Sequence, residues 1–272
     1  MTKKLYVWYS PSTSLTGRQL AHSLGLTRGS PSSFNRGYGT LIPPTGTTHV
    51  ICWGGREPLR RKEFREHNLR RRYVLNNPFN TEKYKDKYLA LTKMKQAGVS
   101  VPKFALTKTD SREYFGFPMI GRTRYHYGGS GFKFIRNEQE LERDKQSYYW
   151  LEYIDGEDKR EYRVHIFMGQ VIKVQRKREK EGYEEQPLHY ECRSHKNGWY
   201  FSLCDIDRTH ESVKSESIKA VNSLGYDFGA VDIIRVPSQD RTVVLEVNSG
   251  VGLDDKGVEL YTKLFKGWFN DT

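Results

Sequence analysis

The 272-residue sequence has few cysteines and no long apolar run, and both absences narrow the class of protein. Its 3 cysteines are odd in number and widely spaced, which argues against a disulfide framework and for a reducing compartment. No stretch approaches the roughly 20 apolar residues of a membrane-spanning helix. The first residues turn polar too soon for a secretory signal. We therefore expect a cytoplasmic protein without a membrane partner.

The sequence also lacks the short motifs of several large enzyme classes. It contains no Walker phosphate loop, no Rossmann glycine fingerprint and no serine-nucleophile elbow. Potential zinc ligands do occur in one region, but their spacing matches no common structural zinc pattern. They are His189, Cys192, His195, Cys204 and His210. A zinc site is therefore disfavoured.

Positive charge is in excess, with a formal net charge of +12 and a pI near 9.4. Basic residues crowd the stretch from Arg60 to Arg72. Such a run is usually a solvated helix face, but it can also attract an acidic peptide, an acidic protein or a nucleic acid. The consecutive aromatic residues Tyr148, Tyr149 and Trp150 offer rings for stacking on bases. A nucleic-acid-binding module is therefore one alternative function.

Residue periodicity predicts a small α/β unit at the start of the chain, over residues 1–77. Its expected elements are a strand at Leu5–Tyr9, a helix near Gly17–Leu24, a strand at His49–Trp53 and then the arginine-rich helix.

A second segment begins after Asn76-Asn77-Pro78, three residues that are typical of a turn between two elements. We predict one helix over residues 81–97, with Thr81 as its N-cap and Gly98 beyond its end. Lys87 lies at the margin of the apolar stripe of this helix. Its ammonium group can therefore reach inward, although most lysines extend to solvent.

The most informative segment is an apolar pair of predicted strands that carries three oxygen ligands. Residues 229–236 and 242–248 flank a short turn, so Asp232 and Glu246 can face each other across an antiparallel pair. Asn248 shares a face with Glu246 by strand alternation. Opposed carboxylates repel one another unless a cation or solvent lies between them. We expect these three residues to bind Mg²⁺; the alternative is an exposed polar face.

Two further patterns indicate anion binding. The glycine-rich stretch 127–131 can bring backbone amides close to phosphate oxygens, although a plain hairpin turn has a similar sequence. Further on, a two-residue turn at Gly169-Gln170 would place Arg163 opposite Arg176. Opposed like charges are unfavourable, so we expect an anion such as a transferring phosphoryl group between them, unless both arginines extend into water.

Together these residues resemble the ATP-grasp superfamily in identity and order, and most of all its carboxylate-amine ligase branch. The resemblance covers about residues 80–255. It implies an α+β fold in which two α+β subdomains grip ATP, preceded by a small α/β domain. The expected boundaries are an N-terminal domain at 1–77, a central and lid region at 78–155, and a C-terminal domain with the metal site at 156–272.

The resemblance also implies a role for each matching residue. The nucleotide phosphates would be bound by Lys87, Arg122, Gly128, Gly129, Ser130 and Gly131. The adenine hinge and the ribose contact would be formed by Glu152, Tyr153, Ile154 and Glu161. The catalytic residues at the γ-phosphate would be Arg163 and Arg176. One or two Mg²⁺ ions, with Mn²⁺ as an alternative, would be held by Asp232, Glu246 and Asn248.

Two positions depart from the pattern of this superfamily. Arg122 stands where many members have lysine, which keeps the positive charge but replaces a point charge with a planar fork. Leu151 stands where a glutamine or glutamate often meets the adenine amino group. Only backbone groups remain for that contact, so the preference for ATP over GTP is open.

The implied reaction joins a carboxylate to an amine. The carboxylate attacks the γ-phosphate of ATP, and an amine then opens the acyl-phosphate to an amide. The expected substrate is an amino acid, a peptide or a protein. A kinase of the same fold, which passes the phosphate to a hydroxyl, is the alternative enzyme. The oligomeric state is open.

Overall fold

The computed structural model describes residues 5–9, 14–26, 48–54, 74–126, 128–181 and 191–272. The chain divides into two compact units. The first unit comprises residues 1–84, 225–230 and 248–272, and the second unit comprises residues 85–224 and 231–247. The predicted arginine-rich helix falls outside the described residues. The predicted boundaries at residues 77 and 155 stay a prediction.

The described elements are named here in chain order. The strands are β1 (Leu5–Tyr9), β2 (His49–Trp53), β3 (Val74–Leu75), β4 (Phe104–Ala105), β5 (Met119–Arg122), β6 (Phe132–Ile135), β7 (Tyr149–Glu152), β8 (Arg160–Phe167), β9 (Gln170–Glu179), β10 (Trp199–Cys204), β11 (Phe228–Val236) and β12 (Arg241–Asn248). The α-helices are α1 (Leu15–Ser23), α2 (Pro78–Lys83), α3 (Lys87–Gln96), α4 (Lys108–Tyr114), α5 (Glu138–Arg143), α6 (Glu211–Ser223) and α7 (Asp255–Asp271).

The first unit contains a parallel sheet of three strands in the order β1-β2-β3. Every residue of β1 and β2 is buried, as expected for strands whose two faces are both covered. Both strands match the predicted bounds. Helix α1 begins two residues before the predicted start, because the Ser14 hydroxyl accepts a hydrogen bond from Gly17 N at 3.0 Å and caps the helix there.

An aromatic cluster forms the core of the first unit. The Trp53 ring stacks on Phe228 with ring centroids 5.4 Å apart, and Tyr261 meets Trp53 edge to face at 5.1 Å. Phe265 packs against Phe228 at 5.3 Å. Aromatic pairs at these distances stabilise a core beyond the burial of their area.

Asn76 fixes the start of β11 to the end of β3 within the first unit. Its side-chain oxygen accepts hydrogen bonds from Asp227 N at 2.8 Å and Phe228 N at 3.1 Å, and its amide donates to Phe228 O at 3.0 Å. The residue is fully buried and adopts a positive φ of 58°. Asparagine tolerates this backbone conformation better than most residues.

The second unit is built on two sheets. A four-stranded sheet has the order β4-β7-β5-β6, and a five-stranded sheet has the order β10-β9-β8-β11-β12. The mixture of helices and largely antiparallel sheets confirms the predicted α+β class. Strands β11 and β12, joined by a short connection at 237–240, confirm the predicted strand pair.

The predicted single helix over residues 81–97 is wrong. The segment forms two helices, α2 and α3, each with its own N-cap. The Asn77 side chain accepts from Phe79 N at 2.9 Å, and the Asp86 side chain accepts from Leu89 N at 3.1 Å. Thr81 is instead a buried residue inside α2 whose hydroxyl donates to Pro78 O. Two consecutive caps interrupt the helix because each competes for backbone donors.

The predicted register of the β8–β9 hairpin is also wrong. The turn is formed by Met168 and Gly169, and a β-bulge lies between His165 and Ile166. Together these place Arg163 opposite Gln175, and Arg176 opposite Tyr162. A shift of one residue moves a side chain to the other face of the sheet. Arg163 and Arg176 therefore do not face each other.

No helix within the described part of the chain is long and apolar enough to cross a membrane.

We expect Asn76→Ala to lower the free energy of unfolding by roughly 3–4 kcal/mol. Three hydrogen bonds of about 1 kcal/mol each are lost, and alanine adds about 1 kcal/mol of strain at the positive φ. Urea unfolding monitored by circular dichroism measures the change. Asn222→Ala, at an exposed position on α6, is the matched control and should change stability by less than about 0.5 kcal/mol. Equal effects of the two substitutions would refute the proposed role of Asn76.

Candidate active site

A cavity of about 660 Å³ lies within the second unit and is lined by residues of both sheets. Most of the predicted site residues line it: Arg122, Gly128, Gly129, Glu152, Tyr153, Ile154, Glu161, Arg163, Asp232 and Glu246. Five predicted site residues do not line it: Lys87, Ser130, Gly131, Arg176 and Asn248, which is the last residue of β12. The cavity thus brings together predicted site residues that are up to 124 positions apart in the sequence, from Arg122 to Glu246.

Two ion pairs neutralise the predicted metal-binding carboxylates. Arg163 donates to both oxygens of Asp232 at 2.7 and 2.8 Å, and Lys87 Nζ lies 3.2 Å from Glu246 Oε2. Burial alone would lower the pKa of Arg163, but the negative charges of Asp232 and Glu246 raise it overall. Lys87 is buried, so its predicted inward direction is confirmed. The unfavourable approach of two carboxylates is thereby relieved by side-chain cations.

Arg122 is held by a buried histidine that the sequence did not reveal. Its Nε donates to His126 Nε2 at 3.2 Å, and the same ring lies 3.3 Å from the Tyr149 hydroxyl. Burial and the positive charge of Arg122 lower the pKa of His126 to about 3. The imidazole is therefore neutral at pH 7 and can accept a hydrogen bond.

The glycine loop has the backbone freedom that close approach to phosphate requires. Gly128, Gly129 and Gly131 have φ angles of 54°, 82° and 64°. A Cβ atom on Gly129 would lie 3.5 Å from Cys192 Sγ, so the loop runs close to the segment that precedes β10. Side chains at these three positions would strain the backbone.

The other end of the cavity contains the predicted hinge. The Glu152 carboxylate accepts from Lys103 N at 2.7 Å and is bound by Arg241, so this side chain holds the strands together. Lys159 Nζ donates to the Tyr153 hydroxyl at 2.8 Å and to Ile154 O at 3.1 Å. Burial and the charge of Arg193 lower the pKa of Lys159.

Glu161 lies between two basic residues that the sequence analysis missed. Lys177 Nζ is 2.7 Å from Glu161 Oε2, and Arg193 Nε is 3.5 Å from Glu161 Oε1. Lys177 could have been found from the correct β8–β9 register, because it lies directly across from Glu161. No local pattern indicates Arg193, which comes from a different part of the chain.

The structure bears on two of the alternatives. Of the three consecutive aromatic residues, Tyr149 and Trp150 are buried and offer no ring for stacking on nucleic-acid bases, whereas Tyr148 is 41% exposed. The Arg60 to Arg72 run and His189 fall outside the described residues. Across the segments that the structure does describe, no three side chains of His, Cys, Asp or Glu form a metal-binding group. All three cysteines are free thiols.

The donor chemistry of the cavity fits a hard divalent cation. Asp232 and Glu246 offer carboxylate oxygens, and their side chains are 17% and 27% exposed within a cavity large enough for a nucleotide. Mg²⁺ prefers such oxygen ligands and keeps several positions for water and phosphate. Asn248 does not line the cavity and belongs to the first unit, so its part in metal binding stays a prediction.

A protein-family model decides which family these features represent. The model of the RimK-like ATP-grasp domain matches residues 84–266, about two thirds of the chain. The chain belongs to the RimK-like ATP-grasp family. The resemblance seen in the sequence is confirmed, and with it the expectation of an ATP-dependent ligase fold. No curated protein matches the chain in sequence.

Solved structures of ATP-grasp ligases share this fold. D-alanine--D-alanine ligase from Bacillus anthracis complexed with ATP aligns with a TM-score of 0.67 at 16% identity, over 99% of this chain and 97% of that one. The ATP-grasp ligase PsnB complexed with minimal precursor aligns with a TM-score of 0.64 at 16% identity, over 98% and 100% of the two chains. At such identities the likeness shows the fold alone.

We expect His126 to make the protein less stable as the pH falls. Its pKa is about 6.5 when unfolded and about 3 when folded, so the folded state excludes a proton that the unfolded state binds. The contribution is complete above pH 6.5 and is lost progressively below it. Between pH 7 and pH 5 it falls by about 2 kcal/mol.

Urea unfolding of the native protein and of His126→Asn at both pH values measures this contribution. The native protein should lose about 2 kcal/mol more than the variant. Identical losses would show that His126 titrates normally in the folded protein.

Proposed function

We propose that the protein is a Mg²⁺-dependent ligase that joins a carboxylate to an amine through an acyl-phosphate, on an amino acid, peptide or protein substrate. The observation that carries this proposal is that Arg122, Arg163, Asp232 and Glu246 line one cavity, with Lys87 paired to Glu246 beside it. Binding of a metal–triphosphate complex requires both carboxylates for the metal and cations for the phosphates.

The phosphate end of the cavity would be formed by basic side chains and the glycine loop. Lys87 and Arg122 supply positive charge, and His126 fixes the Arg122 guanidinium by a hydrogen bond. The loop Gly128, Gly129, Ser130 and Gly131 would supply backbone donors. The positive φ angles of its glycines support this role, because donors there can approach an anion without a side chain in the way.

Asp232, Glu246 and Asn248 would hold Mg²⁺, and Mn²⁺ could replace it. When bound, the ion neutralises charge on the phosphates and lowers the barrier to phosphoryl transfer. Arg163 and Lys87 hold the two carboxylates in place. Each cation is paired with a proposed metal ligand and would therefore be near the transferring phosphoryl group.

The hinge end would bind the nucleoside. Backbone groups of Glu152, Tyr153 and Ile154 would face the base, since the Glu152 carboxylate is engaged elsewhere. Glu161 would accept hydrogen bonds from the ribose, and Lys177 holds its carboxylate in place. These contacts do not distinguish ATP from GTP.

Arg163 remains the proposed catalytic residue. Arg176 is no longer included, because it was chosen for a β8–β9 register that the structure shows to be wrong. A substrate carboxylate would attack the γ-phosphate, and Arg163 would stabilise the negative charge that develops there. An amine would then displace phosphate from the acyl-phosphate. No nucleophilic side chain is needed, because positioning and charge neutralisation do the catalytic work. The solved PsnB complexes with a precursor peptide support a peptide as the substrate class.

The cytoplasm is the proposed location, because the three cysteines are free thiols in a chain without a predicted disulfide framework.

We expect Glu246→Gln to lower Mg²⁺-dependent ATP turnover at least about 100-fold, because one charged metal ligand is lost and Lys87 loses its partner. Release of ADP, measured with saturating Mg²⁺, reports the effect. Asp240→Asn, at an exposed carboxylate away from the cavity, is the control and should keep turnover within about 2-fold. Unchanged turnover in a folded Glu246→Gln variant would remove the metal assignment.

A screen of amino acids and peptides for Mg²⁺-dependent ADP release tests the reaction class. Mass spectrometry of the product then separates an amide, which loses one water relative to its two precursors, from a phosphoester. An amide is expected because the solved relatives are ligases. A phosphoester would make the protein a kinase of the same fold.

A further inference from the structure

Three arginines gather on the face of the five-stranded sheet that points away from Arg163. Arg176 and Arg178 alternate on β9 and therefore share a face. Arg176 lies opposite Tyr162, and the same antiparallel register brings Arg160 on β8 opposite Arg178. All three arginines line a second cavity of about 750 Å³. None of them lines the first cavity, of about 660 Å³, in which the nucleotide is proposed to bind and which is called the nucleotide cavity below.

Within the part of the chain that the structure describes, these arginines lack the carboxylate partners that the neighbouring cations have. Lys177 and Arg163 are each paired with a carboxylate, at 2.7 Å in both cases. Among the described residues, no carboxylate lies within 4.0 Å of Arg160, Arg176 or Arg178. Burial, the charge of Arg178 and then that of Arg160 lower the pKa of Arg176. Adjacent like charges on a sheet are unfavourable, so an anionic ligand would stabilise this arrangement.

We propose that Arg160, Arg176 and Arg178 form a binding site for an acidic peptide segment in extended conformation. Alternate side chains of an extended chain are about 6.8 Å apart, which matches the separation of Arg176 and Arg178 along β9. Each guanidinium can bind one carboxylate in bidentate fashion. Tyr200 lies opposite Arg178 and is 42% exposed, so its ring offers a contact surface beside the three arginines.

The rim of this cavity favours a peptide over a nucleic acid. Four acidic residues line the same cavity as the arginines: Asp155, Glu157, Glu179 and Glu181. A continuous phosphate backbone would be repelled by these carboxylates wherever it passed them. A peptide can place neutral residues there and keep its carboxylates at the arginines.

The site would hold part of the substrate outside the cavity where the chemistry takes place. That role rests on the proposed function, since only a ligase acting on peptides would use it. Binding itself is independent of catalysis and can be measured without nucleotide. A failure of this proposal is therefore distinguishable from a failure of the proposed reaction.

The test uses fluorescence anisotropy with a labelled (Glu-Ser)₄ peptide and the full chain, without nucleotide. We expect Arg178→Glu to weaken binding at least about 10-fold, because a charge-assisted hydrogen bond is replaced by repulsion. Arg208→Glu changes the net charge equally at an 89% exposed side chain and should change binding less than about 2-fold. Arg178→Lys keeps the positive charge but loses the planar guanidinium, so it should weaken peptide binding by an intermediate factor. A (Lys-Ser)₄ peptide should not bind.

Three results would overturn the proposal. The first is no binding of (Glu-Ser)₄ to the native protein. The second is an equal loss in Arg178→Glu and Arg208→Glu, which would mean that only net charge matters. The third is tighter binding of an eight-residue oligothymidylate with the same dependence on Arg178, which would make the site one for nucleic acid. Mg-ATP binding should be the same in Arg178→Glu as in the native protein, because Arg178 does not line the nucleotide cavity.

Discussion

The arrangement of the active site depends on the ion pairs of two carboxylates that lie in an apolar sheet. Asp232 and Glu246 lie on β11 and β12, whose other residues are mostly buried and apolar. Each carboxylate is paired with a cation from another element, Arg163 on β8 and Lys87 at the start of α3. A buried charge without a partner costs several kcal/mol. The pairs therefore hold β8 and α3 to the strands that carry the proposed metal ligands.

The sequence predicted those parts of the fold that local patterns determine. Strands β1 and β2 were correct because continuous apolar runs bounded by polar residues are specific to buried strands. The pair β11 and β12 was correct because two apolar runs flank one short turn. The residues of the cavity were predicted largely through family resemblance. Lys87 was chosen for its place in the predicted helix over 81–97; that helix is wrong, but the ammonium does reach inward to Glu246.

What the sequence could not predict depends on small differences between competing local structures or on contacts between distant segments. The helix over 81–97 failed because Asn77 and Asp86 are both good N-caps, and the second cap starts a new helix. The β8–β9 register failed because the turn is formed one residue earlier than predicted and because a bulge has no strong sequence signal. His126 and Arg193 were missed because their importance comes only from the partners that the fold brings to them.

The bulge has the largest consequence for function, because it decides what each side of β9 does. With it, Lys177 pairs with Glu161, while Arg176 and Arg178 lie on the other face of β9 and line only the second cavity. Without it, the turn at Met168 and Gly169 would place Arg176 opposite Glu161 and Lys177 opposite Arg160. The lysine and the arginines would then exchange faces. The local irregularity at His165 and Ile166 thus separates the lysine that pairs with Glu161 from the arginines of the proposed peptide site.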